Sequence, residues 1–169
     1  HDDAAQAAAT ALAIAEASDP ASADIANLLN DLAEIEIDRQ RHRVALDLTE
    51  RAHATLLRLG SALSGETAAR LQIKTFTLLG TLRRMLGEAA AESNELVLAL
   101  ETAELAFGPC HDETTAARNN LAVDYKAAGR FDEALALYQE SLRHALRAHG
   151  NNPSSLLSSL HHNLGGVHH

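Results

Sequence analysis

A leucine followed by a small residue recurs at a nearly fixed period, and this constrains the fold more than any other feature of the chain. Leu32-Ala33, Leu79-Gly80, Leu121-Ala122 and Leu164-Gly165 follow one another at intervals of 47, 42 and 43 residues. A period of about 20–50 residues is typical of solenoids, whose repeats bury their apolar faces against one another. The sequence therefore predicts an extended, repeated surface for ligand binding.

The composition favours helices. Alanine and leucine dominate the 169 residues, and aromatic residues make up 3% of them. Alanine and leucine lose little side-chain entropy in a helix, and the alternating β-branched or aromatic runs of strands are absent. We expect an all-α protein.

Charge and cysteine content exclude several function classes. The formal net charge is −9, which disfavours nucleic acid and anionic membranes as partners. Cys110 is the only cysteine, so neither a disulfide within the chain nor a cysteine-based zinc site is expected. Without a signal peptide or an apolar run of about 18 residues, the segment is expected to be soluble and cytoplasmic.

Residues 113–150 are the clearest repeat unit. Arg118, Leu121, Ala122 and Tyr125 share one helical face, and Gly129 is expected to end that helix in the left-handed conformation. A second helix with an apolar stripe of three- and four-residue spacing follows from residue 131. The unit is therefore a helix hairpin.

The other units align with this one, which predicts about eight helices in a single array over residues 1–169. Residues 3–18 form an unpaired second helix, and residues 154–168 form an unpaired first helix. Three antiparallel hairpins lie between them, at 22–62, 67–107 and 113–150. Their individual helices are 22–38, 42–62, 67–86, 88–107, 113–128 and 131–149.

The pattern resembles the tetratricopeptide repeat. Leu121-Ala122 followed by Tyr125, and then Ala134 and Tyr138, match the small and large positions of that family. The period of about 42 residues and the Gly108-Pro109-Cys110-His111 linker are similar to its kinesin-light-chain subtype, which is common in bacterial signalling proteins. The resemblance implies an α-solenoid, a right-handed superhelix that binds proteins or peptides in its concave groove.

The first helix of each hairpin lines that groove, and five of its positions point inward by family resemblance and helical geometry. We expect the binding residues among them to be Asn27, Asn30, Asp31, Glu34, Lys74, Thr77, Thr81, Arg84, Asn119, Asn120, Lys126, His162 and Asn163.

Two kinds of contact are expected there. The amides of Asn120 and Asn163 can bond a peptide backbone through both donor and acceptor, and the family clamps extended peptides in this way. Their alternative role is capping or hydrogen bonding between helices. Lys74, Arg84 and Lys126 are expected to hold an acidic peptide or a terminal carboxylate, with Asp31 and Glu34 at the opposite, acidic end of the groove. The alternative is a solvated charged face.

No enzyme motif emerges from the remaining residues, so we expect no catalytic residues, no metal and no cofactor. His161-His162 and His168-His169 lack the spacing of a chelating pair and are read as exposed residues or a purification tag. Neither a nucleophile elbow around the serines of 154–159 nor a phosphate-binding glycine loop is present.

The sequence therefore predicts a protein-binding module. The alternative is a sensor or scaffold segment of a larger bacterial signalling or effector protein, associated with a signal-transduction ATPase of the STAND type or with a protease. The unpaired helices at both ends support that alternative, because Leu156, Leu157, Leu160 and Leu164 would face water unless covered. We accordingly expect a piece of a longer protein, or a homo-oligomer that stacks through these ends.

Overall fold

The computed structural model describes residues 2–19, 22–88, 94–149 and 155–166, and every regular element within these ranges is helical. In chain order the elements are α1 Asp2–Ser18, α2 Ala23–Asp38, α3 His42–Leu59, a 3-10 turn Gly60–Ala62, α4 Gly65–Met85, α5 Asn94–Phe107, α6 Asp112–Ala127, α7 Phe131–His149 and α8 Ser155–Gly165. The all-α prediction is confirmed. The helix predicted over 88–107 does not include Glu88, and residues 89–93 lie outside the described ranges, as does the predicted end at residue 168.

The helices α2, α4 and α6 end in the same way. At the end of α6, Gly129 has a φ of 77°, its N–H donates to the Lys126 carbonyl, and the Arg130 N–H donates to the Tyr125 carbonyl. This is a Schellman motif, in which a left-handed residue turns the chain and satisfies the last carbonyls. The same two bonds follow α2, with Gln40 at the left-handed position, and α4, with Gly87 there. The left-handed ending predicted at Gly129 is confirmed.

The chain divides into two compact units, residues 1–89 and 90–169. In unit 1, α1 packs on α2, α2 on α3, α3 on α4, and α2 also contacts α4. Ala33 of α2 and Ala45 of α3 are both fully buried and share one apolar cluster. Small side chains at these two positions let the helices of the hairpin approach closely.

In unit 2, α5 packs on α6, α6 on α7, α7 on α8, and α6 also contacts α8. Ala122 of α6 and Ala134 of α7 repeat the small–small contact, next to the buried ring of Tyr138. The predicted hairpin 67–107 has α4 in unit 1 and α5 in unit 2, and its pairing stays a prediction, as does the single array.

The last helix is covered along part of its apolar face. Leu160 is 1% exposed and Leu164 is half-buried, because both pack onto the cluster around Tyr138. Leu160 and Leu164 are therefore covered within unit 2 and do not face water, whereas the side chains of Leu156 and Leu157 lie outside the described part of the chain. Gly165 is exposed and has no neighbour within 4 Å of the Cβ position, so the fourth leucine–small pair lacks the close packing of the others.

Candidate functional site

A charged cluster joins α2 and α4 of unit 1, each of which is the first helix of a predicted hairpin. Lys74 of α4 places its Nζ 2.7 Å from Asp31 Oδ1 and 2.9 Å from Glu34 Oε2, both on α2. Two carboxylates and one ammonium leave this cluster with an excess of negative charge. Within unit 1 Lys74 therefore pairs with the two acidic residues, and the expected separation of acidic and basic ends along the groove stays a prediction.

The protonation of Lys74 follows from these contacts. Burial alone lowers the pKa of its ammonium, but the hydrogen bonds to Asp31 and Glu34 outweigh burial and raise the pKa above the ordinary lysine value. Lys74 is thus a fixed cation that orients both carboxylates.

Asn30 points away from this cluster. Its side chain is fully buried, and its Nδ2 donates to Thr75 Oγ1 on α4 at 2.7 Å. The Thr75 hydroxyl donates in turn to the Leu71 carbonyl. Asn30 therefore belongs to the contact between α2 and α4, and not to the exposed face on which the sequence places it.

An open cavity of about 290 Å³ lies beside the charged cluster, at the N-terminal ends of α2 and α4. Asn27 is exposed at its edge, and Leu71 supplies a buried apolar part of its floor. We call this cavity the first-helix pocket, and its lining is Ala23, Asp24, Asn27, Thr67, Arg70, Leu71 and Lys74. It combines hydrogen-bonding groups of both charges with a small apolar surface.

The other predicted positions of α4 lie further along the helix. Thr77, Thr81 and Arg84 are all half-buried. They extend the same helix toward its C-terminal end at Met85. Their binding role stays a prediction.

In unit 2 an amide pair joins the first helices α6 and α8. Asn163 Nδ2 donates to Asn119 Oδ1 at 2.9 Å. Asn163 therefore forms a hydrogen bond between helices, which is the alternative role that the sequence allowed. Asn120 is half-buried, and the described part of the chain gives its side chain no hydrogen-bond partner. Its amide is therefore available to a ligand.

Two further predicted residues lie on the same helices. Lys126 Nζ approaches to 2.7 Å the place that a Cβ on Gly166 would occupy, so the Lys126 ammonium lies at the C-terminal end of α8. A cation is favourable there because the last carbonyls of a helix carry partial negative charge. His162 is exposed.

The comparison with known families decides what these helices are. Residues 73–147 match the family model of the tetratricopeptide repeat. This segment consists of tetratricopeptide repeats. It begins in α4 and ends in α7, and the hairpin 113–150 that carries most of the sequence resemblance lies almost wholly within it.

The fold of these repeats is shared with a solved structure. The crystal structure of BtubC (BKLC) from P. vanneervenii superposes with a TM-score of 0.74 over 98% of this chain and 63% of that one, at 21% sequence identity. BtubC is a kinesin-light-chain-like tetratricopeptide-repeat protein, so the expected resemblance is confirmed at the level of the fold. This chain spans less than two thirds of BtubC. No curated protein sequence matches the chain.

Sequence reasoning missed a series of contacts between polar side chains within the tetratricopeptide repeats of unit 2. Arg118 is 1% exposed and donates to Glu104 Oε1 at 2.6 Å, with Glu140 Oε2 3.9 Å from its Nε. Glu140 also lies 3.6 Å from His144, whose Nδ1 is 3.1 Å from Cys110 Sγ. The signal was the register, because the equivalent positions of α2 and α4 hold the apolar residues Leu29 and Phe76, whereas α8 holds His161 there.

Two features often tied to function have no counterpart in the described residues. Within those ranges no three His, Cys, Asp or Glu side chains come together as a metal ion requires. Nor does any helix in them have both the length and the apolar character that crossing a membrane takes. The predicted histidines 168 and 169 lie outside the described residues.

Proposed function

We propose that this chain is a non-catalytic binding module, which holds an extended peptide segment of a partner protein against its first helices. Tetratricopeptide repeats generally mediate protein–protein interaction. The observation that carries the proposal is the first-helix pocket, where Asn27 and the Lys74 cluster surround an apolar floor. We infer a cytoplasmic setting from the single cysteine.

The geometry suits a peptide more than a drug-like small molecule. At about 290 Å³ the pocket lies near the lower limit of small-molecule sites, which start at about 300 Å³. The exposed amide of Asn27 offers a donor and an acceptor to a peptide backbone. Asp31 and Glu34, held apart by Lys74, favour a basic group on the ligand at that end of the pocket.

In unit 2 the corresponding contacts come from Asn120 and Lys126. The Asn120 amide is free to bond a backbone, whereas the Asn119–Asn163 bond fixes α6 against α8 beside it. Lys126 offers a cation for a carboxylate of the ligand. Each unit thus presents at least one amide and one cation on its first helices.

A capture experiment tests the proposal. The wild-type chain is immobilised, retained proteins are identified, and a purified partner is titrated by calorimetry. Asn27→Trp fills the first-helix pocket from an exposed position and should abolish retention, while Gln139→Trp, at an equally exposed site on α7, should retain the same partner. Retention that is unchanged by Asn27→Trp contradicts the proposal.

One observation favours a second candidate function, that of a scaffold segment that packs against another helix. Ile14 of α1 is 63% exposed and lies beside Ala7, Thr10 and Ala11 on one open face. Exposed apolar side chains flanked by small residues suit helix packing. If the chain self-associates through this face, light scattering should show a mass that rises with concentration, and Ile14→Glu should remove that rise.

A further inference from the structure

A second cavity lies on the other side of unit 1, between α1 and α3. Its volume is about 470 Å³, within the range of ligand sites. Ile25 and Leu29 of α2 form its floor. Both lie across that helix from Asn27 and Asp31, because side chains two residues apart on an α-helix point in directions about 200° apart around the helix axis. We call it the second-helix groove, and its lining is Glu16, Ile25, Leu29, Arg51, Ala54, Thr55 and Arg58.

Two arginines stand over this apolar floor. Arg51 and Arg58 are seven residues apart on α3, which places them on one face about 10 Å from each other. Both are exposed at the rim. They form a local basic site in a chain whose net charge is −9.

The two arginines differ in their partners. Arg51 Nη2 donates to Glu16 Oε1 of α1 at 2.8 Å. Arg58 Nη2 donates to Thr55 Oγ1 at 3.1 Å, and no described residue offers it a carboxylate. The cause is the offset of the two helices along their axes, because Glu16 lies two residues before the end of α1 whereas its partner Arg51 lies eight residues before the end of α3.

The contact at Arg51 serves as the model for the open end of the groove. There, a helix of this chain supplies a glutamate to an arginine of α3 beside the apolar floor. We propose that the second-helix groove docks an acidic segment of a partner protein, which places a bulky apolar side chain against the exposed Ala54, above the buried Ile25 and Leu29, and an adjacent Asp or Glu carboxylate on Arg58. This surface is separate from the first-helix pocket of the proposed function.

Charge and shape favour this occupant over others. Two arginines spaced by two helical turns are too few for a nucleic-acid backbone, which needs a dense basic patch. An apolar floor bordered by guanidinium groups matches a leucine flanked by carboxylates, since arginine and carboxylate form directed, charge-assisted hydrogen bonds. The Glu16–Arg51 pair is exposed at both ends and can exchange its carboxylate for that of the ligand at little cost.

The test is amide chemical-shift mapping of the full chain with short peptides. The probe is acetyl-Glu-Leu-Leu-Glu-amide, and its controls replace both glutamates by lysine or both leucines by alanine. We expect the probe to shift the amides around Leu29, Thr55 and Arg58 with a millimolar dissociation constant. Both control peptides should bind more weakly.

Three variants locate the contact. Arg58→Gln should weaken binding about threefold, as expected for the loss of one exposed charge pair. Arg143→Gln removes the same charge from an exposed position on α7 and should leave binding unchanged. Ala54→Trp fills the groove from an exposed position, so the chain should fold and binding should disappear.

Several results would overturn the proposal. They are equal binding of the lysine peptide, equal affinity of Arg58→Gln and wild type, or shifts confined to the first helices. Shifts that depend on protein concentration without peptide would show a second copy in the groove and would also overturn it. The Asn27→Trp variant should bind the probe normally, so this test fails or succeeds independently of the first-helix pocket.

Discussion

Gln40 and Gly129 end their helices with the same left-handed turn, at φ values of 62° and 77°. Both are followed by the bond pattern of a Schellman motif, and Gly87 occupies the equivalent place after α4. These three positions are spaced by 47 and 42 residues, as are the leucine–small pairs of the same helices. The repeat therefore fixes the backbone even where the glycine is missing.

The first prediction concerns this exception. A side chain in the left-handed region costs about 1–2 kcal/mol because Cβ crowds the following carbonyl. Gln40→Gly removes that strain but gives the unfolded chain more freedom, so we expect a net gain of about 0.5–1 kcal/mol. Urea unfolding followed by circular dichroism measures it.

Gly129→Ala is the matched control for that variant. It introduces the strain that Gln40→Gly removes, and it should lower the free energy of unfolding by about 1 kcal/mol. The Cβ position on Gly129 has no neighbour within 4 Å, so the loss reports the backbone alone. A Gln40→Gly protein less stable than wild type would contradict the interpretation.

The second prediction concerns the buried amide between α2 and α4. Asn30 donates to Thr75, and its Oδ1 has no partner among the described residues. Thr75→Val keeps the shape but leaves the Asn30 amide unpaired, which should cost about 1–3 kcal/mol. Thr75→Ser keeps the hydroxyl and should lose less, and both are compared by thermal unfolding. Equal stability of the two variants would show that the hydrogen bond contributes nothing.

Much of the fold follows from the sequence because the repeat supplies many weak signals at one period. The leucine–small pairs predict which helix faces meet, and Gly129 predicts where α6 ends. Ala33 and Ala45, or Ala122 and Ala134, are then brought together as the pattern indicates.

The site follows less well, for a physical reason. A spacing predicts which side chains share a face of one helix, but not how closely the neighbouring helix approaches each of them. Asn30 and Asp31 are adjacent in the chain, yet Asn30 is buried against Thr75 while Asp31 reaches Lys74 at the surface. Likewise, the exposed pair of Arg51 with Glu16 depends on the offset of α1 and α3 along their axes, which only the structure gives.

The third prediction is a pH dependence that originates at Lys74. Its pKa is raised in the folded chain above the ordinary value of 10.5, so its contribution to stability is complete below pH 10.5 and is lost as the pH rises through the folded-state pKa. We expect the stability difference between wild type and Lys74→Met to be about 0.5–1 kcal/mol at neutral pH. The difference should vanish once the pH exceeds the folded-state pKa of Lys74.

Urea unfolding at a series of pH values measures this difference. The chain has only one other lysine, Lys126, so Lys126→Met is the matched control. Subtracting each variant from wild type removes the titration of tyrosines and arginines that all three proteins share. A Lys74 difference that stays constant from neutral pH to about pH 12 would contradict the role of the ion pairs.

The fourth prediction separates the two asparagines of unit 2 that the sequence treats alike. Asn163→Ala removes the bond to Asn119 that joins α8 to α6 and should cost about 1 kcal/mol of stability. Asn120→Ala removes no bond among the described residues, so its stability should stay within about 0.5 kcal/mol of wild type. We propose that its amide holds a peptide backbone, so its loss should weaken a captured partner about fivefold, as for one hydrogen bond of about 1 kcal/mol. Calorimetric titration beside thermal unfolding of both variants distinguishes the effects, because a clamp lowers affinity at constant stability and a structural bond lowers stability first. Unchanged affinity in Asn120→Ala would remove the clamp from unit 2 and leave binding to the first-helix pocket of unit 1.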